Sequence, residues 1–163
     1  MQVDSKVWLG LAGPIALGAV LGLGAGVRTM LTQSVLLPCL IVGLTLSLVP
    51  ALYIGLSLTG SAPPPWKGAA VVAKALVASG IVMAGLSPAV SFLVVSASAR
   101  GYDRDLGFLV AGSAALVGMR QLASGLLEST PRRERSMLVF AAWSLVALSL
   151  GADLLGSVLG RAS

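Results

Sequence analysis

Long apolar runs, separated by short polar or charged stretches, make up almost all of the 163-residue chain. Five such runs cover about residues 8–27, 35–58, 68–98, 106–127 and 137–159. Each run has about the 20 residues, or more, that an α-helix needs to cross a hydrocarbon core about 30 Å thick. The pattern predicts an all-α fold, a polytopic transmembrane helix bundle of about five spans joined by short loops. Residues 1–163 are expected to form a single integral membrane domain.

The first run, from Trp8 to Val27, also has features of a signal peptide. Its length exceeds the roughly 7–15 apolar residues of such a segment, and no clear Ala-x-Ala cleavage site follows it. We therefore interpret this run as a retained membrane helix.

Prolines interrupt two of the predicted helices. Pro50 lies near the middle of the second run and Pro88 lies in the third. Because a proline removes one backbone hydrogen bond, both helices are expected to bend there. Thr45 and Ser47 are near enough in sequence to offer hydroxyl groups beside Pro50, as membrane helices require when a backbone group is freed.

The composition excludes several classes of function. Apolar residues make up 56% of the chain and charged residues only 10%, whereas soluble proteins have roughly a quarter charged. The sequence has no histidine and one cysteine, Cys39, which excludes histidine-dependent catalysis, imidazole or thiolate-cluster metal sites and an intramolecular disulfide. We expect a protein that is not an enzyme and that holds no metal and no cofactor.

Cationic residues lie at the ends of the apolar runs, so the net charge of +5 indicates contact with lipid headgroups and not with nucleic acid. Lys74 and Arg120 can extend toward the membrane surface on the N-terminal side. The positive-inside rule then predicts a cytoplasmic N-terminus and an outer C-terminus, in a plasma membrane such as a prokaryotic inner membrane. The expected interface and headgroup residues are Trp66, Lys67, Lys74, Arg132, Arg133 and Arg135.

Glycines recur every four residues in the first run, at Gly18, Gly22 and Gly26. This spacing places them along one helix face, which another helix can approach closely because no side chains intervene. The pattern, a glycine zipper, predicts either a docking surface for a partner chain or close packing within the chain's own bundle.

Asp153 lies well inside the fifth apolar run, where a carboxylate must be paired, neutral or in contact with water. Ser149 and Ser157 lie one turn before and one turn after it, so the three residues share one helix face. Arg120 is a candidate counter-charge, although the predicted topology places it nearer the opposite membrane surface and Arg161 nearer to Asp153. We interpret Asp153, Ser149, Ser157 and Arg120 as a candidate intramembrane polar site.

These features are compatible with functions from different classes. The leading hypothesis is a non-enzymatic accessory or scaffold subunit, which packs with itself or with other membrane proteins through glycine-rich helix faces. The alternative is a small oligomeric channel or transporter with Asp153 in its pathway. A third and weaker hypothesis is a lipid-handling enzyme that engages a headgroup through Arg100, Asp103, Arg104 and Asp105.

Overall fold

A computed structural model describes residues 5–23, 26–60, 62–97, 103–127 and 133–160 of the chain. These described residues form five α-helices and no β-strand, which confirms the predicted all-α fold. The helices are α1 (Ser5–Gly22), α2 (Val27–Leu58), α3 (Pro65–Ala97), α4 (Asp103–Leu127) and α5 (Arg133–Gly160).

Four helices are long and apolar enough to cross a membrane, which makes the chain a helical membrane protein. They cover Val27–Leu58, Pro65–Ser96, Asp105–Leu126 and Glu134–Ser157. The remaining helix, α1, has 18 residues and is shorter than the other four. At roughly 1.5 Å per residue, α1 is about 27 Å long. That α1 forms the fifth span stays a prediction.

The boundary between the first two helices differs from the prediction. The apolar pattern extends the first helix to Val27, but α1 ends at Gly22 and Val27 is the first residue of α2. Between them, Gly26 has a φ of +106°, which is incompatible with an α-helix and which glycine adopts readily. The second helix therefore begins at residue 27 and not at residue 35. Its polar first turns remain helical, and the hydroxyls of Thr32 and Ser34 each donate to the carbonyl four residues earlier.

The link between α2 and α3 follows directly from its glycine and prolines. Gly60, with a φ of +68°, lies just after the end of α2, where glycine commonly terminates a helix. Pro65 is the first residue of α3, a position that needs no backbone N–H. The Pro64 carbonyl accepts a hydrogen bond from the Lys67 N–H at 2.9 Å. Trp66 and Lys67, two of the expected interface residues, therefore lie in the first turn of α3.

The five helices form a closed ring in the order α1, α2, α5, α4, α3. Gly10 of α1 lies beside Val77 of α3. Three residues later in each helix, Gly13 lies beside Gly80, so α1 and α3 run parallel. Gly55, near the end of α2, lies beside Val139, near the start of α5, so these two helices run antiparallel. Helices adjacent in sequence also alternate in direction.

The contact between α1 and α3 brings two backbones together without intervening side chains. A Cβ atom on Gly13 would overlap the Gly80 carbonyl, and one on Gly80 would lie 2.6 Å from the Gly10 Cα and would overlap the Gly10 carbonyl oxygen. That carbonyl is four residues before Pro14, which has no N–H to donate to it. The Cα–H group of Gly80 thus faces a carbonyl that has no helical donor, an arrangement that favours a weak Cα–H···O contact.

Two clusters of buried apolar side chains stabilise the ring at different heights. The larger cluster has members from all five helices: Leu17, Leu21, Leu37, Met83, Val90, Val94, Val110, Ala114 and Leu155. The smaller cluster lies toward the start of α3 and consists of Leu52, Leu56, Ala75, Leu122 and Leu126, with Phe140 and Trp143 of α5 packed against it. Together they bring α2, α3, α4 and α5 into contact along most of their length.

Candidate functional site

The polar residues predicted on the fifth span lie on the outside of the bundle. Ser149, Asp153 and Ser157 are all exposed, and we call these three residues the α5 outer face. The Ser157 hydroxyl donates to the backbone carbonyl of Leu154 at 2.7 Å. Near Asp153, the side of α5 that faces the other helices carries Gly151 and Leu155. The structure therefore places the α5 outer face where lipid or a partner chain would contact it.

The depth of Asp153 follows from the register of α5 against α2. Gly151 lies beside Leu44, whose Cδ1 atom is 3.9 Å from the Cβ position of the glycine. Because the two helices are antiparallel, Asp153 lies at about the level of Val42, the middle of α2. Each end of α2 is then about 23 Å away along the helix axis. Since the hydrocarbon core is about 30 Å thick, the Asp153 carboxyl group is at hydrocarbon depth.

Arg120 and Asp153 lie at different depths, as the predicted topology implies. Met119 is the last α4 residue that lines the cavity between the helices, and because α4 and α5 are antiparallel it lies level with the first α5 residues that line it, whereas Ala152 lies toward their other end. On α5 the cavity-lining residues extend from 147 to 155, roughly 12 Å along the axis. Arg120 is exposed on α4, so it lies on the outer surface of the bundle, as Asp153 does.

The predicted interface residues are exposed wherever the structure describes their side chains. Trp66 is 72% exposed, and Lys67, Lys74 and Arg135 are also exposed. Trp66 and Lys67 are in the first turn of α3, and Arg135 is in the first turn of α5. Arg132 lies outside the described residues, as does the side chain of Arg133. The described residues thus lie at the same end of the bundle, because α3 and α5 run in the same direction.

The glycines predicted as a docking surface on α1 are covered by α2. A Cβ atom on Gly18 would lie 2.8 Å from the carbonyl carbon of Gln33, and one on Gly22 would overlap the backbone of Met30. Gly26 lies outside α1 and has no neighbouring atom within 4 Å of its Cβ position. The structure therefore uses Gly18 and Gly22 to pack two helices of one chain, and Gly26 to reverse the chain direction.

A cavity of about 240 Å³ lies between the five helices. Ser79 is the one residue with a polar side chain among those that line it, and its hydroxyl donates to the Ala114 carbonyl of α4 at 2.9 Å. Neither Asp153 nor the serines of the α5 outer face line this cavity. A pathway through the centre of one chain would therefore not pass Asp153.

Gln33 is a buried polar residue that the sequence pattern does not single out. It is 3% exposed, and its Oε1 atom has no hydrogen-bond partner. The hydroxyl of Ser144 is likewise buried and without a partner. A single amide in a long apolar helix is a signal that sequence reasoning could use, because an unpaired buried polar group costs about 1–3 kcal/mol.

The donor near Pro50 comes from another helix. The Nε1–H of Trp143 on α5 donates to the Leu48 carbonyl, two residues before the proline, at 2.8 Å. Thr45, whose position in the sequence offers a hydroxyl beside Pro50, instead donates to the Ile41 carbonyl of its own helix at 2.7 Å. A hydrogen bond between α2 and α5 therefore lies close to the proline.

Little reactive chemistry is gathered in the part of the chain that the structure describes. No group of three or more His, Cys, Asp or Glu side chains comes together there. Asp105 is exposed at the start of α4, while Arg100 and the side chains of Asp103 and Arg104 lie outside the description. The lipid-handling hypothesis, which depends on this group, stays a prediction.

The four described helices that are long and apolar enough to cross a membrane define a class, the polytopic helical membrane proteins. No protein-family model, no characterised protein and no solved structure matches the chain. Any assignment of function therefore depends on the physical properties of the molecule itself.

Proposed function

We propose that the protein is a non-enzymatic membrane scaffold subunit that assembles through the α5 outer face, with a second copy of the chain as its partner. The observation that carries this proposal is the exposed carboxyl group of Asp153 at hydrocarbon depth. An acidic residue at the centre of a membrane helix adds about 2.5–3.5 kcal/mol to the cost of insertion. A protein contact that hydrogen-bonds the carboxyl group offsets much of this cost.

A second copy fits because the α5 outer face carries both kinds of hydrogen-bonding group. Asp153 supplies a carboxyl group, and Ser149 supplies a hydroxyl donor one turn before it. Ser157, one turn after Asp153, donates its hydroxyl to the Leu154 carbonyl and would have to rotate to reach a partner. Around a two-fold axis along the membrane normal, the same face of each chain meets itself. Because this symmetry keeps each residue at its own depth, Asp153 faces Asp153 of the second copy, with Ser149 and Ser157 about 6 Å away along the axis. The small serine side chains permit a close approach.

The exposure of α5 supports the same surface. Among the four long helices, α5 has the smallest buried share in its membrane-crossing part, whereas α4 has the largest. Leu145 and Val146 lie four and three residues before Ser149 and therefore on the same side of α5. They are 71% and 58% exposed. A contact centred on Asp153 would therefore also cover the least covered helix of the bundle.

The oligomeric state in lipid nanodiscs tests this proposal. Native mass measurements would compare the wild-type protein with Asp153→Leu, Ser157→Leu and the control Ser124→Leu. Ser124 matches Ser157, because it is exposed and its hydroxyl also donates to the carbonyl three residues earlier. We expect a dimer for the wild type and Ser124→Leu, and at least tenfold weaker dimerisation for Asp153→Leu.

Helical circular dichroism distinguishes loss of assembly from loss of folding. Asp153→Leu should retain full helicity, since it replaces an exposed polar group by an apolar one. A monomeric wild-type protein, or a dimer that Asp153→Leu leaves unchanged, would contradict the proposal. A stable complex with a different membrane protein that depends on Asp153 would keep the surface but replace the second copy as the partner.

The channel or transporter alternative would use the same surface. Because Asp153 faces outward, its pathway would have to run between copies and not through the centre of one chain. Reconstitution into liposomes tests this alternative, which predicts proton or ion flux that Asp153→Asn alters. The scaffold proposal predicts no flux that depends on Asp153.

We also propose a cytoplasmic N-terminus in a plasma membrane, such as a prokaryotic inner membrane. Lys67 and Arg135 lie in the first turns of α3 and α5, and Lys74 lies in the third turn of α3, all in the same half of the bundle, whereas Arg28 lies at the other end. The positive-inside rule assigns the first end to the cytoplasm. A membrane-impermeant thiol reagent should label Lys67→Cys, in a Cys39→Ser background, only after the cells are opened. Labelling in intact cells would show that the N-terminus lies outside and would contradict the proposed orientation.

A further inference from the structure

The central cavity has the properties of a binding site for an apolar molecule. It is lined by residues from all five helices and has a volume of about 240 Å³. Glycines create part of this space: Gly10, Gly80, Gly112 and Gly151 line it on four different helices. At Gly112, a Cβ atom would meet no other atom within 4 Å. An apolar cavity of about 150 Å³ is enough to bind benzene, so this cavity is large enough for a longer hydrocarbon.

The chemistry of the cavity wall argues against water as its occupant. Among the described residues of the wall, Ser79 alone has a polar side chain, and its hydroxyl already donates to the Ala114 carbonyl. A buried water needs two to four polar partners, and apolar cavities without them stay dry. The group that fills this space is therefore expected to be a hydrocarbon.

The wall of the cavity is incomplete along α5. Leu148 and Ala152 line the cavity and are also exposed, so the cavity reaches the outer surface beside them. Trp143 and Val139 contact α2 on another side of α5, which places Leu148 and Ala152 toward α4. Ala152 is next to Asp153 and Leu148 is less than two turns before it, so both lie at hydrocarbon depth. The molecules that surround such an opening in a membrane are lipid acyl chains.

We propose that the central cavity binds one acyl chain of a membrane lipid, which enters between α4 and α5. The acyl chain fills the space beside the glycine residues and makes the contacts that their missing side chains would have made. The lipid headgroup stays outside the bundle. This site is distinct from the α5 outer face and does not require a second copy of the protein. Asp153→Leu should therefore leave acyl-chain binding intact even where it abolishes assembly.

Photolabelling from within the membrane tests the proposal. The protein is reconstituted into phosphatidylcholine vesicles that contain a small fraction of phosphatidylcholine with a diazirine near the end of one acyl chain. After illumination, the labelled residues are identified by peptide mass spectrometry. Met83 is the main reporter because it lines the cavity and is only 6% exposed, whereas Leu109 and Leu116 are 70% and 63% exposed to the surrounding lipid.

Two glycine variants provide the matched comparison. Gly112→Leu fills the cavity, and Gly85→Leu adds the same side chain at an exposed glycine that does not line it and also has nothing within 4 Å. We expect labelling of Met83 in the wild type and in Gly85→Leu, and at least a threefold loss in Gly112→Leu. Leu109 and Leu116 should be labelled equally in all three.

Two results would overturn the proposal. The first is a wild-type protein labelled at Leu109 and Leu116 but not at Met83, which decides the matter even if Gly112→Leu fails to fold. The second is folded Gly112→Leu protein, verified by circular dichroism, in which Met83 is labelled as strongly as in the wild type.

Discussion

The two sides of the helix ring show opposite uses of small residues. On the α1 side, Gly13 and Gly80 allow two backbones to meet, and Gly18 and Gly22 do the same against α2. On the α5 side, the contacts to α2 are made by the side chains of Val139 and Trp143, and the serines near Asp153 face outward. The α1 side is closed within one chain, whereas the α5 side is open.

This difference shows why small residues alone do not identify a docking surface. A glycine face in a membrane helix favours close approach, but the nearest helix of the same chain can provide that approach. An exposed carboxyl group at hydrocarbon depth is more informative, because lipid cannot hydrogen-bond it. The open side of the molecule is therefore the side where a partner is needed.

The largest effect is expected where the α1 contact is broken. Gly80→Leu would force α1 and α3 apart, because even a Cβ atom at this position overlaps the Gly10 backbone. Overpacking of this kind costs about 3 kcal/mol of unfolding free energy. Reversible unfolding in detergent micelles, followed by circular dichroism, measures the change.

Gly85→Leu is the control for this prediction, since Gly85 is on the same helix and its Cβ position is open. It should change the unfolding free energy by less than about 0.5 kcal/mol. Equal destabilisation by the two variants would show that leucine harms α3 regardless of position, and the distinction between the two sides would lose its basis.

A smaller effect is expected where α5 is held to α2. Trp143→Phe removes the hydrogen bond to the Leu48 carbonyl and part of the ring contact with Phe140, whose centroid is 5.8 Å away. The hydrogen bond contributes about 0.6 kcal/mol in a membrane helix, and with the lost packing we expect a total near 1.5 kcal/mol. The same unfolding measurement should show almost no change for Trp66→Phe, because Trp66 is 72% exposed.

How much of this organisation the sequence predicts depends on the range of the interactions. Apolar runs predict the helices because each span satisfies its own backbone, and the runs at 106–127 and 137–159 correspond closely to α4 and α5. The division between α1 and α2 is missed because hydropathy does not detect a turn at Gly26. That turn depends on a backbone conformation and not on polarity.

The candidate site is predicted only in part. Helical spacing places Ser149, Asp153 and Ser157 on one face of a helix, because it follows from local geometry alone. Their outward direction could not be predicted, since it depends on which face of α5 packs against α2 and α4. The same limit applies to Gly18, whose partner helix is fixed by tertiary packing.

Gln33 gives an expected gain in stability. Its buried Oε1 atom has no partner, so Gln33→Met removes an unsatisfied acceptor and keeps a similar length of side chain. We expect an increase of about 1 kcal/mol in the unfolding free energy. A loss of stability would mean that the amide forms a hydrogen bond in the membrane, for example with a buried water.

The smallest effect concerns the hydrogen bond between α3 and α4. Ser79→Ala removes a bond from one helix to the other, whereas Ser87→Ala removes a bond from the Ser87 hydroxyl to the Met83 carbonyl of its own helix. We expect a cost of about 0.6 kcal/mol for Ser79→Ala and less for Ser87→Ala. Equal costs would indicate that the bond between the helices adds nothing to their association.

Disulfide cross-linking in native membranes tests most directly whether the α5 outer face meets a second copy. The sole cysteine is replaced by Cys39→Ser, and Ser149→Cys is compared with Ser124→Cys, which introduces a thiol at an exposed position on α4. The proposal predicts that oxidation gives a covalent dimer for Ser149→Cys, that Ser124→Cys stays monomeric, and that adding Asp153→Leu reduces the dimer at least threefold. Absence of the Ser149→Cys dimer, or equal cross-linking at both positions, would contradict it.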